Sequence, residues 1–192
     1  MTKVLYFHGY HSNGSTGIPR RGAVTRKLGE LITIDAPHPM GDGKFKWFSL
    51  PVEPDFDPAR AFAEIAQSAE YVVRKIREMQ LDERDLILFG ASQGAPIALY
   101  LTLNGLVHPR MTIAAVPYYP LELADRVINK ETPILWIAAG KDDQVPPDVG
   151  GAWKKLQAAG ANLDYRIDPD GTHGDWSPAF NDMITKWAAG RR

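Results

Sequence analysis

The sequence predicts an α/β fold, a mainly parallel sheet of about six strands with helices on both faces and no cap domain. Three observations carry that prediction. Short β-branched and aromatic runs alternate with longer stretches of helical period. Several of the runs are apolar almost throughout, as strands covered on both faces must be. A Gly-x-Ser-x-Gly turn, Gly90-Ala91-Ser92-Gln93-Gly94, stands where one such run gives way to a helical stretch.

The expected strands are Lys3 to His8, Leu31 to Asp35, Asp85 to Gly90, Met111 to Val116, Pro133 to Ala139 and Leu163 to Asp168. The clearest helix follows Asp57-Pro58, an N-cap and first-turn pair, and carries Phe62, Ile65, Ala66, Ala69, Val72, Val73, Ile76 and Met79 on one stripe. That stripe must face the sheet. Further helices are expected over Gly17 to Leu28, Gln93 to Asn104, Val149 to Ala159 and Pro178 to Ala189, each ending near glycine, asparagine or the end of the sequence. Between Ala36 and Asp57 runs a long connection rich in proline and glycine that still carries Phe45, Trp47, Phe48 and Leu50. Long ordered loops in compact domains usually serve function, so it reads as a candidate pocket wall, with packing of its rings onto the core as the alternative.

A chain of 192 residues is expected to form one domain spanning 1–192 around a single core, and 44% hydrophobic with 23% charged residues is ordinary globular composition. With 22 basic and 23 acidic residues the net charge is −1, so no global field favours phosphate backbones or anionic lipid, and nucleic acid is not an expected partner. The absence of cysteine removes disulfides, thiolate nucleophiles and Cys-ligated zinc. From Met1-Thr2-Lys3 the chain enters an apolar run that ends at His8-Gly9, too short for a signal peptide or a membrane span; a cytoplasmic protein without membrane insertion is expected. Oligomeric state is not legible.

A serine forced into a tight strand-to-helix turn needs small neighbours, which the glycines at 90 and 94 supply, and it sits at a helix start where free amides favour developing negative charge. A serine hydroxyl is a weak nucleophile at neutral pH and requires a histidine to take its proton, held in turn by an acid. Of five histidines, His173 in Gly171-Thr172-His173-Gly174 lies in a loop after the last expected strand; His108, before Pro109, reads as an exposed turn residue. Between Ser92 and His173, the strand ending near Ala138 delivers Gly140-Lys141-Asp142-Asp143-Gln144-Val145-Pro146 to the same sheet edge. Counting from Gly140 favours Asp143 as the acid and counting back from Val145-Pro146 favours Asp142; Asp143 is taken. The order Ser, Asp, His is opposite to the His-first order of chymotrypsin-like proteases.

Acyl transfer also needs donors aimed at the oxygen that becomes negative. The amide of Gln93, immediately after the serine, and the amide of Tyr10, in the turn His8-Gly9-Tyr10-His11-Ser12-Asn13-Gly14, are expected to supply them. His8 and His11 read as turn residues whose rings bond the loop; no carboxylate or cysteine cluster completes a metal site beside them, and no metal is expected. Trp47, Phe48, Tyr118 and Trp176, with Tyr10, are the candidate substrate-binding aromatics.

With these residues in place, the chain resembles the phospholipase/carboxylesterase family of α/β-hydrolases, which includes small bacterial carboxylesterases and acyl-protein thioesterases. Leu5-Tyr6-Phe7-His8-Gly9 is similar to the family's oxyanion turn, Ala36-Pro37 with Trp47-Phe48 to its proline-and-tryptophan loop, and Gly90-Ala91-Ser92-Gln93-Gly94 to its Gly-x-Ser-Gln-Gly elbow. The acid and histidine turns are similar as well. The chain departs where members usually carry a second glycine and this sequence has Ala95-Pro96. The resemblance implies no cofactor, a small-molecule ester substrate and hydrolysis of carboxylic esters, here of short to medium acyl chain because only Pro117-Tyr118-Tyr119-Pro120 occupies the usual lid position. The alternatives are acyl thioesterase or lysophospholipase-type activity, or a non-catalytic binding protein on the same scaffold.

Overall fold

The computed structural model describes residues 1–15, 24–118, 120, 127–148 and 151–191. Strands β1 (Lys3–Phe7), β2 (Glu30–Thr33), β5 (Leu86–Ala91), β6 (Met111–Ala115), β7 (Ile134–Ala139) and β8 (Leu163–Asp168) form one sheet in the order β2-β1-β5-β6-β7-β8. Every neighbouring pair is parallel, with Tyr6 opposite Phe89 and Phe89 opposite Ile113 in the centre. All six expected strands are present, each with ends within two residues of the sequence reading.

The period of two explains how the strands bury both faces. Val4, Tyr6, Ile87, Phe89, Ile113, Leu135 and Ile137 point to one side, against Val24 and Leu28 and against Phe180, Ile184 and Trp187 of a C-terminal helix. Leu5, Phe7, Leu86 and Leu88 point to the other, where they meet Ile65, Ala69, Val72 and Ile76 of α1 (Pro58–Glu78) and Ile97 and Leu101 of α2 (Gly94–Leu103). The same layer continues as Ala114, Ile134 and Trp136 against Leu99 and against Ala152 and Leu156 of α3 (Ala152–Ala158). The C-terminal helix is α4 (Pro178–Ala189), with Ser177 capping Phe180 N.

Helix α1 begins where its sequence signals it, with the Asp57 side chain accepting from Ala59 N and Pro58 in the first turn. Met79, expected on the buried stripe, is the C-cap residue and is exposed. The helix expected from Gly17 to Leu28 falls partly outside the described residues; 24–28 are helical. So does the start of the one expected from Val149, whose described part is α3. No helix among the described residues is long and apolar enough to cross a membrane.

The connection from 36 to 57 is not an unstructured loop. It holds an antiparallel hairpin, β3 (His38–Gly41) and β4 (Lys44–Lys46), turned by Asp42 and Gly43 with φ of 51° and 66°. Two consecutive left-handed residues are what a type I′ hairpin requires, and Asp-Gly is a preferred pair for them.

Between β1 and β5 the strand order reverses: from β1 the chain steps to β2 on one side, then returns to β5 on the other. In open α/β sheets the crevice beyond the carboxyl ends of the strands at such a point is where ligands bind. The turns after β1 and β5, which carry Tyr10 and Ser92, both open into it.

Candidate active site

Ser92 follows β5 directly, and its φ of 53° places a non-glycine residue in the left-handed region. Such a conformation costs on the order of 1–3 kcal/mol and persists only when its surroundings impose it. Two main-chain bonds do so, Ser92 N to Ala115 O at 2.9 Å and Ala95 N to Ser92 O at 3.0 Å. The flanking glycines permit the close packing. A Cβ at Gly94 would lie 2.3 Å from Phe7 O, and one at Gly90 would lie 2.4 Å from the Ala95 Cα. No other residue fits either position without backbone movement.

His173 Nε2 lies 2.8 Å from Ser92 Oγ, and His173 Nδ1 lies 2.8 Å from Asp142 Oδ2. The acid beside the imidazole is therefore Asp142, and the sequence choice of Asp143 is corrected. Asp143 is exposed. The reason is an Asx-type turn: Asp142 Oδ1 accepts from Gln144 N at 2.9 Å and Val145 N at 2.8 Å, which leaves Oδ2 aimed inward at the ring. The Asp142 side chain is 1% exposed, so water does not compete for His173. The acid and histidine turns are tied together by Lys141 N to Gly171 O at 2.9 Å.

The Tyr10 turn is fixed from three sides. A Cβ on Gly9 would touch Ser92 Cβ at 3.5 Å, so the backbone runs alongside the serine. Phe45 N donates to Ser12 O at 2.8 Å and Asn13 Nδ2 to Gly43 O at 2.9 Å, which staples the turn to the hairpin. His8, fully buried, accepts from Ala36 N through Nε2 at 3.0 Å and has Nδ1 2.8 Å from Gly9 O. That pair of partners selects the neutral tautomer with the proton on Nδ1. Burial lowers its pKa, against the opposing effects of the Gly9 carbonyl and the Asp35 charge. His11 Nδ1 lies 3.3 Å from Lys44 Nζ, and among the described residues no three His, Asp or Glu side chains converge as a metal site would require. Neither the Tyr10 nor the Gln93 amide has a hydrogen-bond partner among the described residues.

Gln93, Trp47 and Phe48 form the buried joint beneath the serine. Gln93 Oε1 accepts from Trp47 N at 2.9 Å and its Nε2 donates to Phe48 O, while Trp47 Nε1 donates to His8 O at 2.8 Å. Trp47 and Phe48 are thus core residues and not part of a binding surface, at 0% and 1% exposure. Trp176 is likewise buried, stacked on Phe180 at 4.7 Å and packed against Phe89. These three sequence-chosen aromatics are corrected from pocket wall to core. Large rings bury the most apolar area, and nothing in a sequence separates that use from ligand contact.

Tyr10 and Tyr118 do line a cavity, of about 410 Å³, which opens over Ser92, Gln93 and His173. Its remaining walls are Leu50, Pro51 and Val52, from the segment after the hairpin, and Gln144 and Val145 from the acid turn. Leu50, Pro51 and Val52 belong to the connection read from sequence as a candidate pocket wall, although only Leu50 was named there, and Gln144 and Val145 were not read as wall residues. Their position beside Trp47-Phe48 and beside the acid was the available signal.

The phospholipase/carboxylesterase family profile matches residues 2–188. No curated protein matches the sequence significantly. Among solved structures, the chain is similar to the esterase PE8, at 24% identity over 100% of this chain and 93% of that one, with a TM-score of 0.80. It is similar to a carboxylesterase from Mesorhizobium loti, at 25% identity over 98% and 88% with a TM-score of 0.76. SOBER1 from Arabidopsis thaliana shares the fold at 19% identity, over 99% and 98%, with a TM-score of 0.75. A profile match over nearly every residue, on an α/β-hydrolase sheet with no added cap among the described residues, is decisive: the chain belongs to the phospholipase/carboxylesterase family and is a hydrolase of the α/β-hydrolase type.

Proposed function

We propose that the protein, acting as one domain, cleaves carboxylic esters of short to medium acyl chain through an acyl-enzyme on Ser92. The observation that carries this reading is the unbroken relay from Ser92 Oγ through His173 to Asp142, 2.8 Å at each step, at the floor of a cavity. His173 Nε2 takes the hydroxyl proton as Oγ bonds to the ester carbonyl carbon. The carbonyl oxygen becomes negative and accepts from the amides of Tyr10 and Gln93, a reading supported by their having no hydrogen-bond partner among the described residues. The C–O bond to the alcohol then breaks, and the alcohol leaves with the proton from His173. Water repeats the sequence, giving its proton to His173 and releasing the carboxylic acid and free Ser92. Asp142 holds Nδ1–H throughout and stabilises the imidazolium.

Size and charge support the substrate class. At about 30 Å³ per small group in a condensed phase, 410 Å³ admits roughly 14 non-hydrogen atoms. The walls are mainly apolar and, among the described residues, carry neither lysine nor arginine, so a neutral ester is favoured over a leaving group rich in phosphate. The complete relay favours an enzyme over a binding protein that only keeps the scaffold. The test is hydrolysis of p-nitrophenyl esters from two to twelve acyl carbons, with one matched oxygen and sulfur ester pair. Turnover should peak at or below eight carbons and favour the oxygen ester. A maximum at twelve carbons would overturn the size argument, and faster cleavage of the thioester would make this a thioesterase.

A further inference from the structure

We propose that Glu53 is a positioning residue of this site: its carboxylate, paired with Lys46, holds the apolar wall at 50–52 and the Tyr10 turn in one arrangement around Ser92. The inference rests on the esterase reading above.

The segment after the hairpin contributes no reacting group, yet three of its residues line the cavity. It has no helix or strand of its own to hold it. Two carboxylates hold it: Glu64 accepts from Ser49 N at its start, and Glu53 holds the turn that follows. Glu53 Oε1 accepts from Leu50 N at 2.9 Å, Glu53 N donates to Leu50 O at 2.9 Å, and Oε2 pairs with Lys46 Nζ. Lys46 also donates to Ser49 Oγ at 3.2 Å, and the two charged side chains are only 18% and 12% exposed. Charges removed this far from water are tolerated only where geometry and further hydrogen bonds offset the desolvation. Here those further bonds fall on the backbone and the serine of the wall itself. Leu50 packs against the core, but Val52, at the tip, stands 77% exposed at the cavity mouth, so packing does not fix that end of the wall.

The same carboxylate reaches the oxyanion side. Burial and the charge and hydrogen-bonding of Glu53, opposed by the Lys46 charge, raise the Tyr10 phenol pKa, as a carboxylate facing the hydroxyl does. Tyr10 is the residue whose amide is assigned to the oxyanion. Lys46 begins its side chain at the end of β4, the strand of the hairpin to which the Tyr10 turn is already stapled through Ser12 and Phe45. One ion pair thus links the wall that meets the acyl group and the donor that meets the developing charge. A displacement of about 1 Å in such parts can cost about 10²-fold in rate.

The experiment compares Glu53→Gln, Tyr10→Phe and the double variant with wild type on p-nitrophenyl acetate and hexanoate, with melting temperature recorded for each. Ser92-dependent fluorophosphonate labelling of wild type, absent in Ser92→Ala, tests the esterase reading separately; its failure would remove that reading and this inference together. Given labelling, Glu53→Gln is expected to lower kcat on both esters by about tenfold or more, and to raise KM for hexanoate more than for acetate. Tyr10→Phe, which cuts one arm and leaves the ion pair and fold intact, is expected to lower kcat by a smaller factor without the chain-length effect on KM. The double variant should be no slower than Glu53→Gln alone. The proposal is overturned if Glu53→Gln changes only the melting temperature, if its kcat stays within twofold of wild type, or if Tyr10→Phe is indistinguishable from wild type.

Discussion

Replacing Asp142 by asparagine separates the roles of the two adjacent aspartates. In the native turn one carboxylate oxygen takes two main-chain amides and the other takes His173 Nδ1–H. In Asp142→Asn the side-chain oxygen can serve only one side. If it keeps the Gln144 and Val145 amides, the NH₂ faces Nδ1, the ring proton must move to Nε2, and His173 then points a donor at Ser92 and cannot act as base. If the amide flips to serve the histidine, NH₂ meets two backbone donors and both main-chain bonds of the turn go unmade, at about 1–3 kcal/mol each. The competent state is therefore about 2–6 kcal/mol above the incompetent one. At 1.36 kcal/mol per tenfold, kcat should fall by about 30-fold to about 3 × 10⁴-fold. Asp143→Asn, on an exposed side chain, should change kcat by less than about twofold, as ordinary surface substitutions do. Steady-state hydrolysis of p-nitrophenyl butyrate, with melting curves to confirm that both variants fold, measures both. A large loss in Asp143→Asn, or equal mild losses in the two, would refute the reasoning.

Gly94→Ala must force its Cβ away from Phe7 O, 2.3 Å from the ideal position, and should destabilise by about 1–3 kcal/mol or more while disturbing Ser92; urea unfolding and kcat should fall together, and an unchanged midpoint contradicts the packing argument. Trp47→Ala removes a fully buried ring and should cost about 3–5 kcal/mol of stability, which chemical denaturation would reveal; a variant as stable as wild type with an altered KM would return Trp47 to the pocket. His8 is held neutral in the fold because burial lowers its pKa, whereas in the unfolded chain it gains a proton below about 6.5. Its effect on stability is thus absent at higher pH and becomes a growing penalty as pH falls from the unfolded value toward the lowered folded one, where protonation also removes the acceptor for Ala36 N. Urea midpoints at pH 7.5 and 5 should fall more steeply for wild type than for His8→Asn; parallel slopes would contradict this.

The sheet was legible because parallel strands buried on both faces announce themselves as unbroken apolar runs, and Leu86–Ala91 and Ile134–Ala139 are buried at every position. Ser92 and His173 could be singled out as candidates for a similar reason: the turn imposes glycine at 90 and 94 by contact, and His173 was the remaining histidine in a suitable turn. The small hairpin was overlooked although Asp42-Gly43 signalled it, since strands of four and three residues containing Pro39 lack the β-branched alternation that marks a strand. The choice between Asp142 and Asp143 lay beyond sequence counting. Two identical neighbours differ only in which one the turn's amides clamp, and that depends on a backbone path set by the β7 end and by the bond from Lys141 to Gly171. The aromatics failed for another reason. Trp47, Phe48 and Trp176 satisfy their polar or apolar needs in the core, whereas the cavity wall at 50–52 is built of Leu50, Pro51 and Val52, with no motif around them.

In the proposed reaction Ser92, activated by His173, becomes covalently acylated. Intact-protein mass after brief exposure to a slowly deacylating p-nitrophenyl ester at low pH-jump quench measures it directly. Wild type should carry a single added acyl group on the peptide containing Ser92, and Ser92→Ala none. An adduct on another residue, or equal acylation of the Ser92→Ala protein, would contradict the account.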